Sequence, residues 1–226
     1  MAFGGVDPFP EGDLDTALTS SVLASLPTQL RAAALADAIR SELPKGRFLP
    51  GPPLGLVVSG LIRVAVLDAQ GHRFAVSYLR LGDIAGLARL TGRRYPLEFQ
   101  TVTDCRLLRL HEARFEELRR RHAEVGVAVA DQLNRHLDAT LHETAMAAFG
   151  HVRQRVVRHL LARAVVAPGK PMTCPVTHQE LADAVGAARE TVTRTLGELK
   201  SEGLLEGDHR SLVIPDPERL HQEHTA

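Results

Sequence analysis

The sequence predicts an α+β protein made of an N-terminal β-roll, a long helix and a C-terminal winged helix-turn-helix. Three observations predict it. Short apolar and β-branched runs crowd residues 48–110, with turn residues between them. A proline-free stretch follows, in which apolar residues return every four positions. Beyond residue 176, a capping signal, a glycine turn and a second amphipathic run fall at the spacing of two short packed helices.

Composition sets bounds. At roughly 100–200 residues per domain, 226 residues make one or two domains. Apolar residues are 44% and charged residues 24%, a globular composition and not a disordered one. Two cysteines, Cys105 and Cys174, are too few for a disulfide scaffold or a four-thiolate metal site. The first basic side chain is Arg31, so the start of the chain lacks the cationic region of a secretory or transit signal. The longest apolar run, Leu54 to Leu67, has 14 residues and includes Arg63. A membrane helix needs about 20. No membrane partner is expected, and the expected address is the cytoplasm.

Lys+Arg and Asp+Glu both number 27, so the chain is neutral overall. The charge is unevenly placed. Residues 151–200 carry eight basic and four acidic side chains, a balance of +4, whereas residues 201–226 carry two and six, a balance of −4.

The elements follow in order. Residues 1–20, with Gly, Pro and Asp and little periodicity, read as a mobile arm. A sensor-like β-roll occupies 21–118. Its opening, Leu23 to Leu43, has apolar residues at helical spacing and reads as one or two short helices. Val57-Val58, Leu61 to Leu67 and Phe74 to Leu79 read as strands, the last two joined by an Asp68–Gly71 hairpin turn. Glu98 to Val102 and Arg106 to Leu110 read as the last strands. Residues 119–149 form the core of a long helix and a hinge. Val125, Val129, Leu133, Leu137 and Leu141 make a narrow stripe, with Asp131, Asn134, Arg135, Asp138 and Glu143 on the opposite side. About 25 helical residues span roughly 38 Å, and so narrow a stripe on so long a helix predicts pairing with another helix in a homodimer. Phe149-Gly150-His151 reads as the hinge to residues 150–226, which begin with a helix over 152–166.

Residues 177–200 carry the functional pattern. Thr177 and Glu180 form a capping box. Leu181 and Val185 face inward, and Gly186 permits a sharp turn. A second helix starts near Arg189 with Val192, Leu196 and Leu199 buried. Arg189, Glu190, Thr193 and Arg194 then project outward. A helix-turn-helix of this kind sends its second helix into the DNA major groove. There Arg can bond guanine O6 and N7, and Glu can accept from the cytosine amino group. Leu204-Leu205, the turn at 207–210 and Leu212 to Ile214 read as a wing. No aromatic residue follows Phe149, which favours a duplex over a stacked single strand.

At these residues the chain resembles the Crp–Fnr superfamily of bacterial transcription regulators. Thr177-His-Gln-Glu-Leu-Ala-Asp-Ala-Val-Gly through Arg189-Glu-Thr-Val-Thr-Arg is the strongest match, followed by Leu199 and Glu202-Gly203-Leu204-Leu205. Val66-Leu-Asp-Ala-Gln-Gly through Ser77-Tyr-Leu-Arg-Leu-Gly-Asp-Ile-Ala-Gly86 is a second. The resemblance implies a cyclic-nucleotide-binding-like β-roll, a dimerisation helix and a winged helix that binds double-stranded DNA. It implies that Arg189, Glu190 and Arg194 read bases and that Thr177 and Gln179 hold phosphates. Ala188 stands where many relatives have a Ser, which removes a helix cap and one phosphate contact.

The resemblance is looser in the sensor. Cyclic-AMP-binding relatives place a Glu for the ribose and an Arg-Ser pair for the phosphate after this turn. Here Gly86 is followed by Leu87 at the Glu position, and Tyr95-Pro96 or Arg94-Tyr95 stands at the Arg-Ser place. Ordinary cyclic AMP (cAMP) binding is therefore not expected. Arg93 and Arg94 read either as anion receivers or as a solvated basic turn. Thr140 matches the Thr that meets adenine in those relatives, but Leu141 replaces the following Ser. An iron–sulfur cluster is excluded because residues 1–104 contain no cysteine. Haem, with His72, His136 and His142 as the available ligands, is not the expected cofactor, and no metal site is. Cys174 reads as a packing residue, with a redox brake as the alternative.

The expected function is a homodimeric regulator acting on a pseudo-palindromic site, with RNA polymerase as a further partner. Two alternatives stay open: a regulator that binds DNA without any effector, and a ligand-binding protein whose helix-turn-helix contacts protein. No nucleophile motif, phosphate loop or metal-ligand pair suggests an enzyme.

Overall fold

The computed structural model describes residues 11–49, 51–67, 73–91, 97–166, 170–208 and 211–225. Two helices, α1 (Glu11–Ser20) and α2 (Thr28–Leu35), precede eight strands: β1 (Ile39–Leu43), β2 (Phe48–Leu49), β3 (Gly55–Ser59), β4 (Ile62–Leu67), β5 (Arg73–Leu79), β6 (Ile84–Ala85), β7 (Leu97–Thr101) and β8 (Cys105–Arg109). They form two antiparallel sheets, ordered β1-β8-β3-β6 and β2-β7-β4-β5. Val57, Ile62, Val64, Leu79, Cys105 and Leu107 fill the space between them. Burial pushes the Cys105 thiol up to about 12.

The residues read as an arm are not one throughout. Glu11–Ser20 is a helix laid on β3. Leu14, Ala17 and Leu18, at three- and four-residue spacing, meet Leu56, Val58 and Leu108, and Asp13 pairs with Arg106 at 3.0 Å. Residues 1–10 lie outside the described set. The helical reading of Leu23 to Leu43 also needs correction at its end. Asp37 takes a positive φ of 59°, the chain turns, and Ile39–Leu43 pairs with β8 as an edge strand.

The expected long helix is present, 27 residues long, and a shorter helix precedes it. α3 (Glu112–Arg121) and α4 (Ala123–Phe149) meet at His122, whose extended backbone ends one and starts the other. α4 has two distinct faces. Val125 and Ala128 are buried against Phe115, Leu87 and Ile84. Leu133, Leu137 and Leu141 are 42%, 55% and 57% exposed, a row without cover. Glu143, expected on the solvent side, is instead buried, because Arg158 packs over it with Nε 3.6 Å from its carboxylate.

Gly150 separates α4 from α5 (Val152–Arg163), which stops short of the expected end. A Cβ at Gly150 would lie 2.6 Å from the Met146 carbonyl oxygen, so only glycine fits this corner. The rest of the chain is β9 (Met172–Cys174), α6 (His178–Val185), α7 (Arg189–Ser201), β10 (Glu206–Gly207), β11 (Leu212–Ile214) and α8 (Pro217–Thr225). β10, β11 and β9 make a small antiparallel sheet.

This C-terminal unit packs on the roll. Leu61, Ala75, Tyr78 and Val102 join the cluster of Val156, Leu160, Leu161, Leu196 and Leu220. Tyr78 and His221 stack with ring centroids 4.5 Å apart. Burial pushes the Tyr78 hydroxyl above its ordinary range.

Candidate nucleic-acid interface

The interface is built from two short helices and a wing. Thr177 caps α6: its hydroxyl accepts from the Glu180 N–H at 3.2 Å, and the Glu180 carboxylate accepts from the Thr177 N–H at 2.8 Å. The Thr177 N–H, together with the Thr177 hydroxyl, donates to the Glu180 carboxylate and holds that carboxyl below the usual range. Gly186 ends the helix at φ 62°, ψ 47°, in the left-handed region. Ala188 then starts α7 with no side-chain cap. Leu181, Ala182 and Val185 of α6 and Val192, Leu196 and Leu199 of α7 are buried together. That burial fixes which face of α7 is left outside.

The outside face carries Arg189, Glu190, Thr193 and Arg194, all exposed, with exposed Ala188 beside them. The structure thus brings the four expected base-facing residues to one surface. Arg189 and Arg194 have no ion-pair partner among the described residues, so both guanidinium groups are available. Thr177 and Gln179 are exposed but engaged within α6. The Thr177 hydroxyl donates to Glu180 at 2.8 Å, and Gln179 donates to Asp183 at 2.8 Å. One residue escaped the sequence reading. His178 reaches from α6 to α7, where its Nδ1 lies 3.0 Å from the Thr193 hydroxyl. Its only signal was its place between the two expected phosphate contacts.

The wing is tied to α7 through Lys200, which donates to the Gly207 carbonyl at 2.8 Å. Gly207, at φ 89°, has the Ser211 carbonyl oxygen where a Cβ would sit. The wing tip, residues 209–210, lies outside the described set. Behind α7, Arg153 of α5 holds Glu202 at 2.5 Å and Glu223 of α8 at 3.1 Å. Cys174 is buried in β9, and burial pushes its thiol up to about 11. Such a thiol stays protonated at neutral pH.

Of the sensor positions, Gly86, Leu87 and Thr140 are among the described residues. Leu87 is buried among Val22, Leu23 and Phe115. Gly86 turns at φ 78° with Pro53 O 2.6 Å from a Cβ position. The Thr140 hydroxyl donates to His136 O at 2.8 Å. Arg93, Arg94 and Tyr95, like His72, lie outside the described residues. A cavity of about 500 Å³ exists elsewhere, between the Arg80–Asp83 turn, α4 and α8, lined among others by Arg135, His136 and His221. No cluster among the described residues could hold a metal ion.

Residues 154–223 match the Crp-like helix-turn-helix domain, and residues 50–122 match the cyclic nucleotide-binding domain. The transcriptional regulator SdrP of Thermus thermophilus is 30% identical over 164 residues, which cover 71% of this chain and 78% of SdrP. The chain belongs to the Crp–Fnr family of transcription regulators. As a Crp–Fnr member it is a DNA-binding transcription regulator, with its helix-turn-helix in α6 and α7. The cAMP-activated global transcriptional regulator CRP of Salmonella typhimurium is 27% identical over 164 residues, 70% of this chain and 78% of that protein. A crp/fnr-family regulator from Eubacterium rectale shares the fold at TM-score 0.58 and 19% identity, over 91% of this chain and 98% of its own. The c-di-GMP-responsive global regulator CLP of Xanthomonas campestris does so at TM-score 0.51 and 24% identity, over 84% and 100%.

Proposed function

We propose that the chain acts as a homodimer on a pseudo-palindromic duplex site, with Arg189, Glu190, Thr193 and Arg194 reading bases. The observation that carries this is the orientation of α7. Burial of Val192, Leu196 and Leu199 turns those four side chains outward together. Arg189 and Arg194 suit guanine and Glu190 suits cytosine. The uncovered row Leu133, Leu137 and Leu141 supplies the seam for a second copy, which would set two recognition helices about one DNA turn, roughly 34 Å, apart. Thr177 and Gln179 contact phosphates after giving up bonds within α6, and the backbone at Ala188 approaches the same strand. RNA polymerase is a further partner in this reading, and the cytoplasm its setting. No described helix is long and apolar enough to cross a membrane. No catalytic role is assigned.

Among the described sensor residues, Leu87 does not suit ordinary cAMP. Leu87 offers a buried apolar side chain where a ribose hydroxyl needs an acceptor. The reading keeps a β-roll that senses another effector, with DNA binding in the absence of any effector as its alternative. Iron–sulfur and haem chemistry play no part in it.

Selection of bound fragments from random duplex DNA by the purified chain, with no ligand added, tests this. Enrichment of a palindrome is expected, and Arg189→Ala is expected to relax one position per half-site. No enrichment with or without cyclic nucleotides would overturn it. Binding of a partner protein through α7 would install the competing reading.

A further inference from the structure

Five helical threonines in this chain share a habit. Thr16, Thr19, Thr140, Thr144 and Thr195 each donate the hydroxyl to the carbonyl four residues back, at 2.7–3.0 Å. Thr193 sits inside α7 with the Arg189 carbonyl at the same spacing. Its hydroxyl goes instead to His178 Nδ1, 3.0 Å away on the other helix of the motif. His178 is the first residue of α6 and half-buried, so it is held in place, while Thr193 is exposed.

The cross-helix bond selects a rotamer. A threonine on the reading face has two groups to offer a base, a hydroxyl and a methyl. A free hydroxyl accepts or donates and so discriminates poorly, whereas a methyl favours contact with the 5-methyl of thymine. Engagement by His178 Nδ1 fixes the rotamer and uses one of the hydroxyl's hydrogen-bonding positions, which shifts the balance of base contact toward the methyl. Thr193 is three and four residues from Glu190 and Arg189, on the same face of α7.

We propose that His178 is a specificity-determining positioning residue, which holds the Thr193 hydroxyl so that the Thr193 methyl reads a thymine in each half-site. This rests on the proposed reading of DNA by α7. His178 acts through Thr193 and need not itself touch a base.

The test compares the full chain with His178→Ala, His178→Asn, Thr193→Val, Thr193→Ser and the double variant that combines His178→Ala with Thr193→Val. Each is titrated against the selected duplex and the same duplex with deoxyuridine for thymine at the half-site positions, one at a time. At one position the wild type should prefer thymine about two- to tenfold, the scale of one net hydrogen bond or methyl contact. Thr193→Val should keep that preference and Thr193→Ser should lose it. His178→Ala should lose it in the wild-type background and change nothing in the Thr193→Val background, and His178→Asn should restore part of it. An equal fall of His178→Ala on thymine and deoxyuridine duplexes, or an equal fall in the Thr193→Val background, would overturn the coupling. A wild-type chain that selects no sequence would instead overturn the DNA reading beneath it, which separates the two failures.

Discussion

Arg63 of β4 donates from its guanidinium to the carbonyl oxygen of Leu161 in α5 at 2.7 Å, and so joins the roll to the DNA-binding unit. The same nitrogen reaches Ala162 O at 2.9 Å and Ala164 O at 3.5 Å. The other terminal nitrogen donates to Gln100 Oε1 at 2.5 Å. Only 4% of Arg63 is exposed. A buried cation is costly unless its donors are used and a negative potential faces it. The last turn of α5 supplies both, since its carbonyls lack partners within the helix and form the negative end of the helix dipole.

Arg63→Met should therefore loosen the joint between the units. It leaves the α5 carbonyls short of donors, a loss of about 2–3 kcal/mol. The checks are the urea midpoint and limited proteolysis near Gly150. The variant should unfold earlier and be cut faster at the corner between α4 and α5. An unchanged midpoint with unchanged cleavage would remove Arg63 from the joint.

Leu137→Asp addresses the uncovered row on α4. Leu137 is 55% exposed in the single chain, so the change should leave the monomer fold intact. Sedimentation should show a dimer for the parent and a monomer for the variant. Affinity for a palindromic duplex should fall about a hundredfold, because two half-sites held together act at high effective concentration. A dimer that survives this change does not use the row.

Ala188→Ser should restore the missing cap of α7. A serine oxygen there can accept from the N–H groups of the first turn and stabilise the chain by about 1 kcal/mol. Its hydroxyl also lies beside Arg189, so non-specific DNA affinity should rise with it. A thermal melt and a salt titration on random duplex read the two effects separately.

Acid should weaken the fold through His136 and His159. Burial lowers the basicity of both, with Asp83 opposing the shift at His136 and Arg163 and Arg158 adding to it at His159. Gln132 sits between Asp83 and His136, donating to the carboxylate at 3.2 Å and meeting His136 Nε2 at 2.9 Å, a contact that needs a neutral ring. The unfolded chain takes up protons at the ordinary value near 6.5, whereas the folded chain does so only at lower pH. Stability is then full above about pH 6.5 and is lost as pH falls through the folded values. Urea midpoints at about pH 7.5 and about pH 5.5 should differ, and His136→Gln with His159→Gln should flatten the difference.

The reading helices were legible because their signals are local. Thr177 with Glu180, the left-handed Gly186 and the Val192–Leu196–Leu199 spacing each act within a few residues. The strands between Gly55 and Leu79 were legible for the same reason. What the sequence hid is tertiary. Glu143 looks like any helical surface acid until Arg158 covers it, and Arg63 looks like an interruption in a strand until α5 ends over it. α1 was hidden by its short apolar set, Leu14, Ala17 and Leu18, which makes sense only against β3. His178 needed the second helix to show what it holds.

The clasp of Arg153 on Glu202 and Glu223 has a kinetic meaning. It ties down acids of the C-terminal segment on the α5 side of the domain, while Arg189 and Arg194 stay unpaired among the described residues on the outer face of α7. A chain with 27 basic and 27 acidic side chains feels little net pull toward a polyanion. Separated charge still feels a torque. In the field of a duplex, unpaired Arg189 and Arg194 on one face would favour approaches that present α7. The neutral sum keeps long-range attraction to any polyanion low.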